Sequence, residues 1–271
     1  MSDWVEHGTG VYVKRYDFLS QSIGAIDCGD GLVVVDTRSH PGHARELLAD
    51  LAHLSSLPVG AVVNTHHHWD HAFGNAAFVP VPIWGHERCA ARLRDEGALV
   101  RDRLGLDYPA EAEGFAEVEI VPPDRTFDGS ADLECGSRRI GLHYLGLGHT
   151  DNDIVVEVDD GAAVFAGDLV EQAAPPFFGD GYPLEWPATV GRLLDLTRGA
   201  VVPGHGTVVD AAFVEGQAAE LAEVARLAVE RHAAGMPVGD AARAGGPYDP
   251  PTLTDAFRRA WEHLDRGDPV R

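Results

Sequence analysis

The seven residues from Thr65 to His71 contain an H-x-H-x-D-H pattern of side chains that can bind metal ions. The four residues of the pattern are His66, His68, Asp70 and His71. Imidazole nitrogens and a carboxylate oxygen together suit zinc and similar first-row metals. His67 alternates with its two neighbours, so in an extended chain its side chain points away from theirs. We therefore leave His67 out of the predicted ligand set.

The elements around this motif predict how it is held. Residues 59–64 form an apolar run typical of a buried strand. Residues 72–77 predict a short helix, which Gly74 weakens. The motif is then expected on a loop between a strand end and a helix, where a rigid strand positions the ligands.

Three later loops repeat this arrangement. Each follows an apolar strand and carries one metal-capable residue, and these residues are His149, Asp168 and His205. Seven ligands are more than the four that one zinc ion usually takes, so the sequence predicts two metal ions. Asp36 ends the predicted strand at residues 32–35. It either accepts a hydrogen bond from a ligand histidine or caps a turn.

The rest of the chain predicts alternating strands and helices of a layered α/β protein. We expect helices at residues 41–54, 87–104, 189–197, 211–234 and 254–264. Residues 105–129 are expected to form a loop with a short strand at 118–121, and the strand before Asp168 is expected to end there. We predict one domain over residues 1–271, in which 211–271 is a helical C-terminal extension that covers the site or forms a dimer interface.

Composition excludes several functions. The net charge of −22 repels nucleic acid and anionic lipid, which argues against a nuclease. No apolar run reaches eighteen residues, and the first residues lack the basic start and apolar core of a secretory signal, so we predict a cytoplasmic protein. The cysteines Cys28, Cys89 and Cys135 are far apart in sequence, so a disulfide framework is not expected.

The motif set resembles that of the metallo-β-lactamase superfamily. Thr-His-His-His-Trp-Asp-His matches its H-x-H-x-D-H signature, and Gly-His149-Thr, Gly-Asp168 and Gly-His205-Gly match its later motifs in order, over about residues 8 to 210. The resemblance implies a four-layer αβ/βα sandwich with a dinuclear site at one edge between the sheets. It assigns His66, His68 and His149 to the first metal. It assigns Asp70, His71 and His205 to the second, with Asp168 bridging both.

We predict a metal-dependent hydrolase in which a hydroxide bridging two Zn²⁺ ions attacks an ester, lactone or thioester of a small molecule. Mn²⁺ and Fe are the alternative metals. Asp70 is the predicted catalytic residue, because it can orient the hydroxide. No G-x-S-x-G motif occurs, so no serine nucleophile is expected. An aromatic set is predicted to line or cover the pocket, or else to pack a loop onto the domain: Trp69, Phe177, Phe178, Tyr182 and Trp186.

Two other activities on this scaffold remain open, and a non-catalytic binding protein is a third reading. Zinc β-lactamases do not usually keep a bridging aspartate at the position of Asp168, so the resemblance favours the glyoxalase II-like, lactonase-like and phosphodiesterase-like branches over a β-lactam hydrolase. An iron-dependent oxidoreductase similar to persulfide dioxygenases uses one iron, which His71 and His205 disfavour. Non-catalytic members lose ligands, and this sequence keeps all seven.

Overall fold

The fold was analysed in a computed structural model that describes residues 3–136, 138–159 and 161–266. Two β-sheets face each other, and helices cover the outer face of each sheet, which is the αβ/βα sandwich expected from the sequence. The predicted domain range of 1–271 includes residues 1–2, 137, 160 and 267–271, which lie outside the described residues.

The first sheet has seven strands, arranged in chain order. They are β1 (Val5–Glu6), β2 (Val11–Arg15), β3 (Ser22–Asp27), β4 (Leu32–Val35), β5 (Val59–Val63), β6 (Ile83–His86) and β7 (Arg125–Phe127). The first four strands pair antiparallel, and β4 to β7 pair parallel. Parallel pairing brings the carboxyl ends of β4, β5 and β6 to one edge, where the segments that follow can meet.

The second sheet has five strands in the order β12-β11-β10-β9-β8. They are β8 (Ser130–Cys135), β9 (Arg138–Tyr144), β10 (Ile154–Val158), β11 (Ala163–Glu171) and β12 (Ala200–His205). The first three pairings along the chain are antiparallel, and β11 pairs parallel with β12. Apolar side chains of both sheets, such as Val33, Val156 and Phe165, form the core between them.

Eight α-helices are found in the described part of the chain. They are α1 (Pro41–Leu54), α2 (Trp69–Ala72), α3 (Glu87–Asp107), α4 (Ala112–Ala116), α5 (Trp186–Leu196), α6 (Ala211–Ala233), α7 (Val238–Arg243) and α8 (Pro250–Arg266). Helix α1 packs on the first sheet, and α5, α6 and α8 pack on the second. Among the residues that the structure describes, no helix is both long and apolar enough to cross a membrane.

Helix α1 coincides with its prediction, since its apolar residues recur on one face. The prediction for residues 105–129 is wrong. Helix α3 continues to Asp107, α4 follows, and the strand lies at Arg125–Phe127 instead of 118–121. Phe115 of α4 is 1% exposed, so contacts with distant residues stabilise this short helix, which has no local sequence pattern.

The structure contains one disulfide, which the spacing of the cysteines in the sequence did not indicate. Cys28, just after β3, is bonded to Cys135 at the end of β8, with their Cα atoms 5.2 Å apart. The two residues are separated by 107 positions in sequence, and the stacking of the sheets brings them together. Disulfides are rare in the cytosol, where thiols are kept reduced, so this bond weighs against the cytoplasmic prediction.

Candidate metal centre

The H-x-H-x-D-H motif lies at the carboxyl end of β5, as expected, but only its first part is a loop. His68 is the residue before α2, and Asp70 and His71 lie in the helix itself. The prediction of one helix over residues 72–77 is wrong, because α2 spans Trp69–Ala72 and a separate 3-10 helix spans Asn75–Phe78. An aspartate in the first turn favours the start of α2 at Trp69, because it interacts with the positive end of the helix dipole.

The structure brings all seven predicted ligands together in two adjacent groups. The first group is His66, His68, His149 and Asp168, and the second is Asp70, His71 and His205. In the first, His68 Nδ1 lies 2.8 Å from His149 Nε2. In the second, His71 Nε2 lies 3.3 Å from His205 Nε2 and 3.4 Å from an oxygen of Asp70.

Asp168 lies between the two groups. Its Oδ2 is 3.4 Å from His149 Nε2 and 3.4 Å from His205 Nε2, and its Oδ1 is 3.3 Å from His71 Nε2. This side chain contacts members of both groups, which is the position of a carboxylate that could bridge two ions. Asp168 is inside β11 instead of at its end, because the strand continues to Glu171.

Two glycines make room for the Asp168 carboxylate within the sheet. Gly204 of β12 lies so close to it that a Cβ atom at this position would overlap Oδ1. Gly167 has φ +53°, a left-handed conformation that favours glycine. The pairing of β11 with β12 shifts register on both sides of Gly167, which leaves space for the carboxylate to turn towards the histidines.

Each ligand histidine is held through its other ring nitrogen. Nδ1 of His71 lies 2.8 Å from Oδ2 of Asp36, and Nδ1 of His205 lies 2.8 Å from the carbonyl of Leu19. Asp36 also accepts hydrogen bonds from the backbone and hydroxyl of Thr65. Of the two expected roles of Asp36, the structure shows the one behind a ligand. Such partners fix the ring so that the free nitrogen faces the centre.

The remaining histidines follow the same pattern. His66 Nδ1 lies 3.1 Å from the Thr65 hydroxyl, and His149 Nδ1 lies 3.2 Å from the carbonyl of Phe177. His68 is the exception in orientation, because it turns Nδ1 to the centre and Nε2 outward, 3.1 Å from Asp180. Five nitrogens therefore converge on the centre: Nε2 of His66, His71, His149 and His205, and Nδ1 of His68.

The residues present fit divalent metal ions. His66 Nε2 and Asp168 Oδ1 are buried and have no hydrogen-bond partner among the described residues, although buried polar atoms are normally paired. Several ligand atoms lie 3.2–3.4 Å apart. Ligands at about 2.0–2.1 Å around a tetrahedral zinc ion are roughly 3.3 Å from one another. A cation at each group would satisfy the unpaired atoms.

The electrostatics of the cluster also favour cations. Burial lowers the pKa of His71, but the carboxylates of Asp168, Asp70 and Asp36 outweigh burial and raise that pKa well above its usual value. Burial raises the pKa of Asp168, yet the imidazoles of His71 and His205 hold it well below the usual range. The carboxylates of Asp168 and Asp70 therefore stay ionised at neutral pH and require positive charge nearby.

Asp180 is a functional candidate that sequence reasoning missed. Its carboxylate lies 3.1 and 3.3 Å from His68 Nε2 and 3.6 Å from His67 Nε2. Burial lowers the pKa of His68, but Asp180 outweighs it and raises that pKa to about 9. The only sequence signal was an acidic residue between Gly179 and Gly181 in the loop that follows β11.

A cavity of about 630 Å³ opens directly above the ligand cluster. Its apolar wall is formed by Leu19, Trp69, Val100, Leu104, Tyr108 and Phe177. Besides the ligands it is lined by Glu96, Asp107, Glu171 and Asp180, and by Arg103. This volume matches pockets for small molecules, and its apolar wall with a few polar groups is typical of them.

The predicted aromatic set divides into two parts. Trp69 and Phe177 line the cavity, and Phe177 is 55% exposed. Trp186 and Phe178 are buried in the core beneath the second sheet, and Trp186 donates its indole N–H to the carbonyl of Leu169. Tyr182 stacks on His263 of α8. The prediction of substrate contacts by Trp186 and Tyr182 is therefore corrected, because their rings pack the loop onto the domain.

The comparisons with known proteins agree with this geometry. The sequence profile of the metallo-beta-lactamase superfamily matches residues 16–205. A linear primary-alkylsulfatase from Pseudomonas sp. (strain ATCC 19151) is 25% identical over 221 residues, covering 68% of this chain and 41% of that protein. A metallo-beta-lactamase type 2 from Bacillus sp. (strain 170) is 26% identical over 190 residues, covering 68% of this chain and 66% of that protein.

Solved structures show the same fold at lower identity. A metallo-beta-lactamase from Pontibacter korlensis has a TM-score of 0.62 at 21% identity, covering 80% of this chain and 97% of that chain. The sec-alkylsulfatase Pisa1 from Pseudomonas sp. has a TM-score of 0.77 at 14% identity, covering 100% of this chain but only 51% of that chain. Because the family profile covers more than half of the sequence and includes all seven converging ligands, the chain belongs to the metallo-beta-lactamase superfamily.

Proposed function

We propose that this chain is a dinuclear metal-dependent hydrolase that cleaves an ester, lactone or thioester of an uncharged small molecule. The observation that carries the proposal is the convergence of seven metal-binding side chains at the base of one cavity. The relatives support hydrolysis in general, because an alkylsulfatase and a β-lactamase both cleave a bond with water. The chain spans 41% of that alkylsulfatase's length, so the activity stated here is our proposal.

We assign two Zn²⁺ ions to the site, with Mn²⁺ or Fe as alternatives. His66, His68 and His149 would hold the first ion, Asp70, His71 and His205 the second, and Asp168 would contact both. Two such ions, when bound, lower the pKa of a shared water towards neutrality and polarise the oxygen of the substrate. The histidine-rich ligand set suits zinc, since imidazole and carboxylate are its common ligands.

Asp70 is assigned a second role, orienting the attacking water. Its Oδ2 lies 3.2 Å from His205 Nε2, and the residue lines the cavity. Burial raises the pKa of Asp70, but His71 and His205 outweigh burial and keep it well below the usual range. The carboxylate is therefore ionised at neutral pH and can accept a hydrogen bond from water, which fixes the direction of attack.

The charge of the cavity favours an uncharged substrate. Glu171 lines it, but burial raises the pKa of this residue to about 8, so it is mostly uncharged at neutral pH. Glu96, Asp107 and Asp180 also line it, and Arg103 is its only lysine or arginine among the described residues. An anionic group of a substrate would be repelled by these carboxylates and by the net charge of −22 of the whole protein. The aromatic and aliphatic wall instead suits an acyl or alkyl chain, whose burial contributes about 25 cal/mol per Å² of apolar surface.

β-Lactam hydrolysis is the second candidate, favoured by the likeness to two Bacillus metallo-beta-lactamases. A penicillin carries a carboxylate that the acidic cavity would repel, so we rank it below neutral esters. An iron oxidoreductase on this scaffold would need one metal, and the complete second ligand group argues against it.

Metal content and a matched substrate panel test the proposal. Elemental analysis of the purified protein is combined with hydrolysis of an ester, a thioester and a lactone of equal chain length, an alkyl sulfate, a phosphodiester and a penicillin. We expect about two zinc or manganese ions per chain and turnover of one neutral substrate. One iron per chain, with oxygen uptake on a sulfur substrate and no hydrolysis, would move the protein to the oxidoreductase class.

Replacing Asp70 by Ala is expected to abolish hydrolysis without unfolding the protein, because the variant loses one ligand and the group that orients water. The measurement is turnover of the preferred substrate alongside circular dichroism. Asp132→Ala is the matched control, since Asp132 is exposed on β8 and outside both ligand groups. Unchanged turnover in Asp70→Ala would disprove this role of the residue.

A further inference from the structure

The C-terminal helix α8 reaches the metal centre through one loop. This loop, residues 172–185 between β11 and α5, carries Asp180, whose carboxylate lies 3.1 Å from Nε2 of the ligand His68. The helix contributes no ligand of its own. Its effect on the site therefore depends on how it holds the loop.

Arg259 of α8 makes the contacts that hold it. Its Nη2 donates to the carbonyl of Asp180 at 3.1 Å, and its Nε donates to the carbonyl of Gly181 at 3.2 Å. Glu262, one turn further along the helix, lies 2.8 Å from Arg259 Nη1 and orients the guanidinium. Two carbonyls of successive residues bound by one planar group leave little freedom for the backbone between them.

Contacts of the neighbouring residue Tyr182 fix the loop on both sides. The ring of Tyr182 stacks on His263 of α8, with centroids 4.9 Å apart. The backbone N–H of Tyr182 donates to the carbonyl of Gly148, which precedes the ligand His149. The loop backbone is thus fixed between α8 and the turn that carries a second ligand, with Asp180 directed at His68.

We propose that Arg259 is a positioning residue of the metal site, which holds Asp180 on His68 so that Nδ1 of His68 faces the metal. The inference rests on the proposed metal binding and adds a role for the C-terminal helix. A carboxylate behind a ligand histidine fixes its tautomer and raises its basicity, and loss of such a partner typically weakens metal binding 10- to 100-fold.

Zn²⁺ affinity of the metal-free protein, measured by competition with a chromophoric chelator, tests this role. We expect the Asp180→Ala variant to bind the first ion, which His68 helps to hold, about 10- to 100-fold less tightly than the wild type does. Asp180→Asn should lose less, because its amide oxygen still accepts from His68 Nε2. Arg259→Gln should lose roughly 3- to 10-fold, and Arg259→Lys should recover part of that loss. Arg258→Gln is the matched control, because Arg258 is the neighbouring exposed arginine and pairs with Asp255.

The double variant Asp180→Ala/Arg259→Gln separates positioning from a general structural effect. If Arg259 acts through Asp180, the double variant binds Zn²⁺ no more weakly than Asp180→Ala alone. If the two losses add, or if Arg259→Gln matches Arg258→Gln, the inference is wrong. Failure of the wild-type protein to bind Zn²⁺ would instead overturn the proposed function. The visible spectrum of the Co²⁺-loaded variants gives a second readout, since an altered first site shifts its absorption, whereas urea unfolding of the metal-free variants should stay unchanged.

Discussion

The two ends of the sandwich join the same two sheets by different means. At one end, ligands that follow β5 in the first sheet meet Asp168 and His205 of the second. At the other end, Cys28 after β3 is bonded to Cys135 of β8. Ser22, at the start of β3, donates to the carbonyl of Gly206 beside the ligands. Cys28 is six residues further along, roughly 20 Å away at the rise of a strand.

The difference between the ends lies in what each connection needs. The disulfide is a covalent bond between uncharged sulfur atoms, so this connection is independent of metal and of pH in the neutral range. The metal end gathers buried carboxylates and imidazoles whose charges balance only in part. Its stability should therefore depend on bound cations and on pH.

Metal removal should give the largest effect. A bound ion stabilises the folded chain by about 4 kcal/mol when free metal is 1,000 times its Kd, and two ions act at this end. We expect chelation to lower the free energy of unfolding in urea by several kcal/mol, and metal to restore it. Equal midpoints with and without chelator would show that the ligands do not join the sheets through metal.

Breaking the disulfide should have an intermediate effect confined to the other end. Cys28→Ala/Cys135→Ala removes a bond that closes a loop of 107 residues, which is expected to cost about 2–4 kcal/mol of unfolding free energy. Zn²⁺ affinity should stay within twofold of wild type. Either single variant serves as the control, because it breaks the same bond and should lose nearly as much. A large loss of Zn²⁺ affinity would show that the ends are coupled.

Asp153 should give the smallest effect, and only at the metal end. Its carboxylate is buried beneath the His149 turn and accepts from the backbone N–H of Thr150 at 2.7 Å. Burial raises the pKa of Asp153 to about 7, above its value of 3.8 in the unfolded chain. The folded state therefore binds the proton more tightly, and stability is lost as pH rises towards 7.

Replacing Asp153 by Asn removes this titration. Between pH 5 and pH 8 the metal-free wild type should lose about 2 kcal/mol that the variant keeps, measured as the difference between their urea unfolding free energies. The disulfide variant is the control, since its difference from wild type should be the same at both pH values. A pH-independent difference for Asp153→Asn would contradict the raised pKa of this carboxyl.

The parts of the molecule that follow local patterns could be predicted from sequence. Helix α1 and the strands that lead to the ligands have apolar residues at regular spacing, so these elements could be predicted. The local setting of some ligands could not, because Asp168 lies inside β11 and Asp70 lies in α2 instead of on a loop. The contacts that depend on tertiary packing could not. Asp180 has no motif around it, Cys28 and Cys135 meet only through sheet stacking, and α4 forms because Phe115 packs on Trp69.

One part of the cavity wall comes from a segment of the chain that is separate from the ligands. Val100, Leu104 and Tyr108 belong to α3 or directly follow it, and this segment supplies none of the seven ligands. Gly204 and Gly167, in contrast, admit no side chain without displacing Asp168 or Thr65. Mutations in the wall can therefore accumulate while the reaction machinery stays intact, so substrate preference can diverge during evolution faster than the chemistry.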